Sequence, residues 1–304
     1  MAISVFNARA LQDEASAYRW VEAQVWPDGP ICPHCGGVDR ISLMKGKSTR
    51  IGTYKCYQCR KPFTVKVGTV FEASHIPMRV WLQAMVLMCA SKKGISSNQL
   101  HRSLGVSLKT AWFMSHRIRE AMRTVGMEPM GGAGQIVEVD ETFYGQVKGE
   151  PKRRGTGHKH VVLSLIHRGG SARSFHVEGT RIADIAPVIR ENLARESTMM
   201  TDEGTYYREL GREFARHDTV NHKLEEYVRG DAHTNTAENF FSIFKRGMHG
   251  VYQHCSEKHL HRYLAEFDFR YSNRTKLGVD DGERTARALK GIVGKRLTYR
   301  TPHI

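Results

Sequence analysis

Apolar residues first recur at helical spacing between Met78 and Met122. Trp81, Leu82, Met85, Val86 and Cys89 form one stripe, as the core-facing side of an amphipathic helix should. Ser96-Ser-Asn-Gln99 follows, a capping box with Ser96 as the cap and Gln99 three residues on. Leu100 and Leu104 continue the apolar face to Gly105-Val-Ser107, a tight turn whose serine can cap a further helix over Leu108–Met122. In that helix Ala111, Met114 (or Ser115) and Ile118 face inward, while Lys109, Thr110, Phe113 and His116 face outward. Helix, glycine-containing turn, helix is the helix-turn-helix pattern, whose second helix enters the major groove. A small helical bundle fits the same pattern.

After Met130-Gly-Gly-Ala-Gly134, which reads as a linker, the period falls to two. Gln135-Ile-Val-Glu-Val-Asp140 alternates as a strand, and His160–His167 and Arg173–Val177 are further strand-like runs. Between the first two of these strands, from Lys148 to His160, lies a basic loop with Lys152, Arg153, Arg154 and Lys159. A helix over Arg181–Ala194 leads to Ser197-Thr-Met-Met-Thr201, a short strand ending at Asp202. Helices are predicted at Gly204–Leu210, Thr236–Arg246 and Ser256–Tyr271, the second carrying an apolar stripe of Phe241, Phe244 and Met248. Three strands, a helix, a strand and more helices describe a mixed α/β domain, a sheet flanked by helices.

Composition narrows the function classes. Forty per cent of the 304 residues are hydrophobic, enough for a sizeable core. No apolar run reaches the ~18 residues that cross a bilayer, and no signal peptide is visible after Met1, so a cytoplasmic, nucleoid-associated protein is expected. Lys plus Arg number 46 against 31 Asp plus Glu, a formal charge of +15. That excess suits nucleic-acid binding, because phosphate neutralisation supplies most non-specific affinity. A merely basic protein is the blander and less favoured reading, and an anionic membrane surface lacks the basic amphipathic helix it needs.

Four of the six cysteines form two knuckles, Cys32-Pro-His-Cys35 and Cys56-Tyr-Gln-Cys59, separated by residues 36–55. Such pairs converge on one tetrahedral Zn²⁺, with a hairpin-length segment between them. Redox motifs or disulfides are the alternatives, and neither has the secretory context that favours them. Lys45, Lys47, Arg50, Lys55, Arg60 and Lys61 make this zinc ribbon basic; its partner, DNA or protein, stays open. Cys89 and Cys255 read as buried thiols.

Phosphodiester transfer by two metals needs oxygen ligands converging from different elements. Asp140 near the end of the first strand and Asp202 at the end of a later one meet if those strands are neighbours. Glu238 begins the helix with the Phe241–Met248 stripe, and Lys245 lies two turns on, facing the same way. Each acid also has a bland reading, as turn former, cap or solvated residue. Glu138 shares a strand face with Asp140, and Glu141 and Glu203 flank the chosen pair, so neighbours compete for the assignment.

Val139-Asp140-Glu-Thr-Phe-Tyr-Gly145, Thr201-Asp202-Glu, His233-Thr-Asn-Thr-Ala-Glu238-Asn and Phe244-Lys245-Arg-Gly together resemble the catalytic domain of insertion-sequence DDE transposases. Bacterial members with an N-terminal zinc ribbon are the nearest group, and Lys109-Thr-Ala-Trp-Phe-Met-Ser-His-Arg resembles their middle region. The 35 residues between Asp202 and Glu238 are a spacing familiar there. The resemblance implies an RNase H-like catalytic domain over 135–275, behind a zinc ribbon with an N-terminal helix (1–75) and a helix-turn-helix segment (76–128). Residues 276–304 form a C-terminal tail to which it assigns nothing.

By the same resemblance, Asp140 bridges two Mg²⁺ ions, for which Mn²⁺ substitutes, while Asp202 and Glu238 each hold one. One ion generates the nucleophile from water or a DNA 3′-hydroxyl, and the other stabilises the leaving 3′-oxygen. Lys245, Arg246, Lys109, Thr110, His116, Lys152, Arg153 and Arg154 are the expected DNA contacts. His233 and Asn235 would position phosphate or water, or else cap the helix bearing Glu238. The partner is double-stranded DNA, element ends and target, and two ends cut in concert imply a homodimer or larger assembly. The rivals are a hydrolytic nuclease or resolvase of the same fold, and a DNA-binding regulator with an inactive nuclease-like domain.

Overall fold

A computed structural model of the chain describes residues 7–124, 126–202, 207–219 and 233–298. They divide into two compact units, residues 1–123 with 279–304, and residues 124–278.

In the first unit, α1 (Glu14–Val25) starts at Asp13, whose carboxylate accepts from Ser16 N at 2.7 Å. Glu14 accepts from the backbone N–H of Met78 and Arg79, and so caps α2 (Met78–Ala90), which has no cap of its own. The predicted stripe on α2 is buried throughout, from Trp81 to Cys89. Ser96 accepts from Gln99 N to cap α3 (Ser97–Leu104), and Ser107 accepts from Thr110 N to cap α4 (Leu108–Met122). Gly105 between them sits at φ +65°, the left-handed conformation that ends a helix at low cost for glycine.

The outward face expected for α4 needs correction. His116 is 1% exposed with its ring 4.3 Å from that of Trp112, and Phe113 is half-buried under the Arg117 guanidinium. Leu108 and Lys109 are exposed, and Trp112 is 36% exposed. The helix is therefore enclosed on more sides than its own polar pattern suggests. One reason is the segment 279–298, which carries α9 (Asp281–Lys290). Buried Arg284 on α9 donates to the carbonyls of Cys89 and Val279, Lys295 donates to Ala121 O, and Arg117 of α4 donates to Leu297 O. The segment with no role in sequence thus completes the core of this unit.

A small antiparallel sheet, β1 (Ile41–Leu43), β2 (Tyr54–Cys56) and β3 (Pro62–Phe63), lies in the same unit. Trp26, Tyr54 and Phe63 pack ring to ring at 5.7–5.8 Å beside it.

The second unit is built on a five-stranded sheet in the order β6-β5-β4-β7-β8. β4 (Ile136–Tyr144), β5 (His160–His167) and β6 (Ala172–Val177) are antiparallel; β7 (Thr198–Thr201) and β8 (Arg216–Thr219) run parallel to β4. β8, with two charged residues in four, is invisible to a hydrophobic pattern. α5 (Ile182–Asn192) covers one sheet face through Val137, Val139, Leu163, Ile185 and Ile189. α7 (Asn235–Gly247) and α8 (Glu257–Ser272) cover the other through Val162, Ile166, Phe240, Phe244 and Phe267. This is the mixed α/β architecture with a ribbon at the N-terminal side.

The glycine-rich segment before β4 is no free tether. Met130 is buried, donates to Asn192 O and accepts from Ala194 N, while Gly132 N donates to Ser197 Oγ. Gly131 sits at φ +95°, and a Cβ there would lie 2.2 Å from Ser197 Oγ. Glycine is needed for close packing here, not for flexibility. No helix among the described residues is long and apolar enough to cross a membrane.

Candidate active site

β4 and β7 are adjacent and parallel, with Glu138 opposite Met200. β4 runs on to Tyr144, so Asp140 stands at its middle and not near its end as the sequence suggests; β7 stops at Thr201, and Asp202 just beyond it is close enough for its charge to act on Asp140. α7 brings Glu238 to the same place. Phe240, Phe241 and Phe244 bury its apolar face, each contributing on the order of 1.5–3 kcal/mol, so the helix is held by its core and not by its polar residues. An open cleft of about 700 Å³ results, lined by Asp140, Glu141, Thr142, Glu238, Phe241, Ser242, Lys245 and Arg246. Glu238, Lys245 and Arg246 are exposed on it, with Arg246 steadied by hydrogen bonds to Ser242.

The crowding of carboxylates shows in Asp140. Burial, then the charges of Glu141, Asp202 and Glu238, push its carboxyl up to about 8, against one opposing hydrogen bond from Glu141 N. An all-oxygen donor set that ionises this reluctantly fits a hard divalent cation, whose charge would offset the mutual repulsion. There is a consequence for stability. Because folding raises this pKa from 3.8 to about 8, the unfolded chain loses the proton first, and the metal-free fold weakens as pH climbs through that window. Asp140→Asn removes the penalty. Without Mg²⁺ at pH 8, this variant melts above wild type by at least about 2–4 °C, the shift that 1 kcal/mol gives in a unit of this size. The gap closes at pH 4; a gap equal at both pH values rejects the explanation.

The neighbouring acids are separated by their contacts. Glu138 is fully buried: its carboxylate accepts from Arg168 Nε at 2.7 Å and Ala237 N at 2.9 Å. It thus holds the first turn of α7 against β4, and is committed to structure. His233 Nδ1 lies 3.2 Å from the same carboxylate, and His233 O accepts from Arg168 at 2.7 Å. His233 therefore belongs to this anchor, while Asn235 is exposed at the start of α7. The helix has no side-chain cap from Thr234; Glu138 on the strand beneath substitutes for one. In the sequence Glu138 reads only as a competing ligand, though an acid flanked by Val137 and Val139 in an apolar strand signals a buried partner. Glu141 accepts from the Tyr207 hydroxyl, and Glu203 lies outside the described residues, as does Gly204 at the start expected for the next helix. In the basic loop Lys152, Arg153 and Arg154 are exposed, with Arg153 paired to Glu150.

The four knuckle cysteines also converge. Cys32 Sγ lies 3.6 Å from Cys59 Sγ and Cys35 Sγ 3.7 Å from Cys56 Sγ, and all four lie within 4.8 Å of one another. Disulfides are far shorter, near 2.05 Å. Sulfurs about 3.8 Å apart are what four Zn–S bonds of ~2.3 Å require at tetrahedral angles. The N–H groups of Cys59 and Gln58 bring the Cys56 thiol down to about 7, toward the thiolate a metal binds. Cys89 is buried as expected; Cys255 is only half-buried.

Comparison with known proteins agrees with this division. The family model described as the ISXO2-like transposase domain matches residues 132–272, and the transposase zinc-ribbon domain matches residues 12–62. A relative in Halobacterium salinarum, an uncharacterized protein in transposable element ISH50, is 29% identical over 265 residues, covering 81% of this chain and 86% of that protein.

Proposed function

From a chain that belongs to the insertion-sequence DDE transposases, with an ISXO2-like domain behind a zinc ribbon, we propose an enzyme that cuts the ends of its element and joins them to target DNA. The observation that carries this reading is a cleft lined by Asp140, Glu238, Lys245 and Arg246, with Asp202 near enough for its charge to raise the Asp140 carboxyl.

In this reading Asp140, Asp202 and Glu238 hold the catalytic cations, two Mg²⁺ or Mn²⁺. Bound there, the ions supply the acidity that makes a nucleophile of water or a 3′-hydroxyl and neutralise the leaving 3′-oxygen. Lys245 and Arg246 bind the phosphate entering the cleft, replacing its counterions with fixed charge. Glu138, Arg168 and His233 keep Glu238 in register with Asp140, and Cys32, Cys35, Cys56 and Cys59 hold one structural Zn²⁺. The basic loop at Lys152, Arg153 and Arg154 and the exposed start of α4 add contacts to duplex DNA, and two ends acted on together call for a dimer or larger assembly.

The test is a reaction with paired element ends, target duplex and Mg²⁺. Joined products support the proposal. Cleavage with no joining identifies a nuclease, and end binding with neither identifies a regulator. Lys109→Ala gives a second measurement. If Lys109 meets a phosphate, all sequences bind more weakly and the salt slope falls by roughly one; if it reads a base, preference for the ends relaxes by about 1–3 kcal/mol. Unchanged binding in both respects removes α4 from the interface.

A further inference from the structure

Apart from the cleft and the ribbon, one more group of metal-binding side chains comes together among the described residues. His160 opens β5, His176 lies near the end of β6, and Glu257 occupies the first turn of α8. Their ligand atoms all lie within 4.8 Å of one another. We propose that His160, His176 and Glu257 form a second, separate Zn²⁺ site that ties the start of α8 to the outer strands of the sheet.

The register explains how the site is built. Val162 pairs with His176 and Val161 with Val177, so His160 and His176 are diagonal neighbours on one sheet face. It is the face that α8 covers, and its helical first turn delivers the carboxylate. Both imidazoles stand on paired strands, which fixes their separation; the rings meet edge to face at 5.1 Å. Among the described residues neither ring is hydrogen-bonded; each faces the other ring and Glu257. Two imidazoles and a carboxylate are the ligand set of an open zinc site, with water in the fourth position. Zn–N and Zn–O bonds of about 2.0–2.2 Å require each ligand atom to move by at most roughly 0.7 Å. Side-chain rotation supplies that without moving the strands. Imidazole nitrogen selects zinc over the magnesium expected at the all-oxygen cleft. Glu257 is exposed and His160 buried, so an ion can enter from solvent and be held below the surface.

The consequence is mechanical. α8 is already joined to β6 by Asp268, which accepts from Ser174 N and Oγ at 2.8 and 2.7 Å, and by Ser272, which accepts from Ala172 N. Those contacts lie in the second half of the helix. The zinc would fasten its first turn, next to the π turn Met248–Tyr252 that follows α7.

Zinc per chain in the full-length protein tests this, after saturation with Zn²⁺ and dialysis against excess Mg²⁺ to clear the oxygen-donor cleft. Wild type is expected to hold two, His160→Gln/His176→Gln one, and Cys32→Ser/Cys56→Ser one. One zinc in wild type, or two in the histidine variant, overturns the proposal. Glu257→Gln guards against a folding defect, since this residue is exposed. It should lower affinity for the second zinc by at least the roughly 10–100-fold that loss of an outer-shell partner costs, with the circular dichroism unchanged. Unaltered affinity counts against the site. In the cysteine variant, Co²⁺ should give ligand-field bands without thiolate charge transfer; no bands means that the two rings are only an aromatic pair.

Discussion

Asp140→Asn, Asp202→Asn and Glu238→Gln are each expected to lose nicking and strand transfer with Mg²⁺ by at least about a thousandfold, the rate equivalent of roughly 4 kcal/mol. Each replacement keeps the shape of the side chain and removes the charge that holds a cation. End binding survives, because it depends on Lys and Arg, not on the acids. Glu141→Gln loses far less, since the Tyr207 hydroxyl already occupies its carboxylate. Mn²⁺ supports the wild-type reaction and Ca²⁺ supports binding with poor chemistry, because its longer, looser coordination relaxes the geometry. Near-normal joining by Glu238→Gln would remove that residue from the set. The same variants compared for cutting and for joining show whether one site performs both steps.

Cys56→Ser has the second large effect, and a local one. The ribbon's own core is small: Cys32, Cys56 and Phe63, with Trp26, Tyr54 and their neighbours packed at its side. Structural zinc contributes an apparent ~10–16 kcal/mol in small modules, more than such a cluster provides alone. The variant should lose the ribbon's zinc, and Trp26 should show solvent-exposed fluorescence. The sheet β6-β5-β4-β7-β8 should keep its amide protection, since its two apolar clusters include none of these residues. Retention of the metal, or an unchanged Trp26 environment, refutes the four-cysteine assignment.

The periodicity of the chain determined a good deal by itself. β5 lies at His160–His167 as read, α2 buries the stripe from Trp81 to Cys89, and Ser96, Gly105 and Ser107 act as cap, turn and cap. These features are local: a repeat of 2 or 3.6 residues and a hydroxyl three residues from an N–H need no distant partner. The cysteine spacing was legible for the same reason, because two short loops suffice to converge four sulfurs. The acids were legible as candidates through their motifs, but not their separate fates. Glu138 and Asp140 share a strand face; one is buried against Arg168 and Ala237, and the other opens on the cleft. That difference arises where α7 lands on β4, a contact spanning about a hundred residues of chain.

Tertiary packing also decided His116, polar in the pattern yet covered in the fold, and residues 279–298, whose α9 has few apolar side chains and buries Arg284 against α2. β8 gains its place by backbone pairing with β7, which leaves no mark on side-chain periodicity. The approach of His160, His176 and Glu257 is of the same kind. Each is unremarkable in its own segment, and only sheet register and helix placement bring the three within ligand distance. Sequence sets what each segment prefers; which charged groups lose their water depends on segments far away, and the fold alone brings those together.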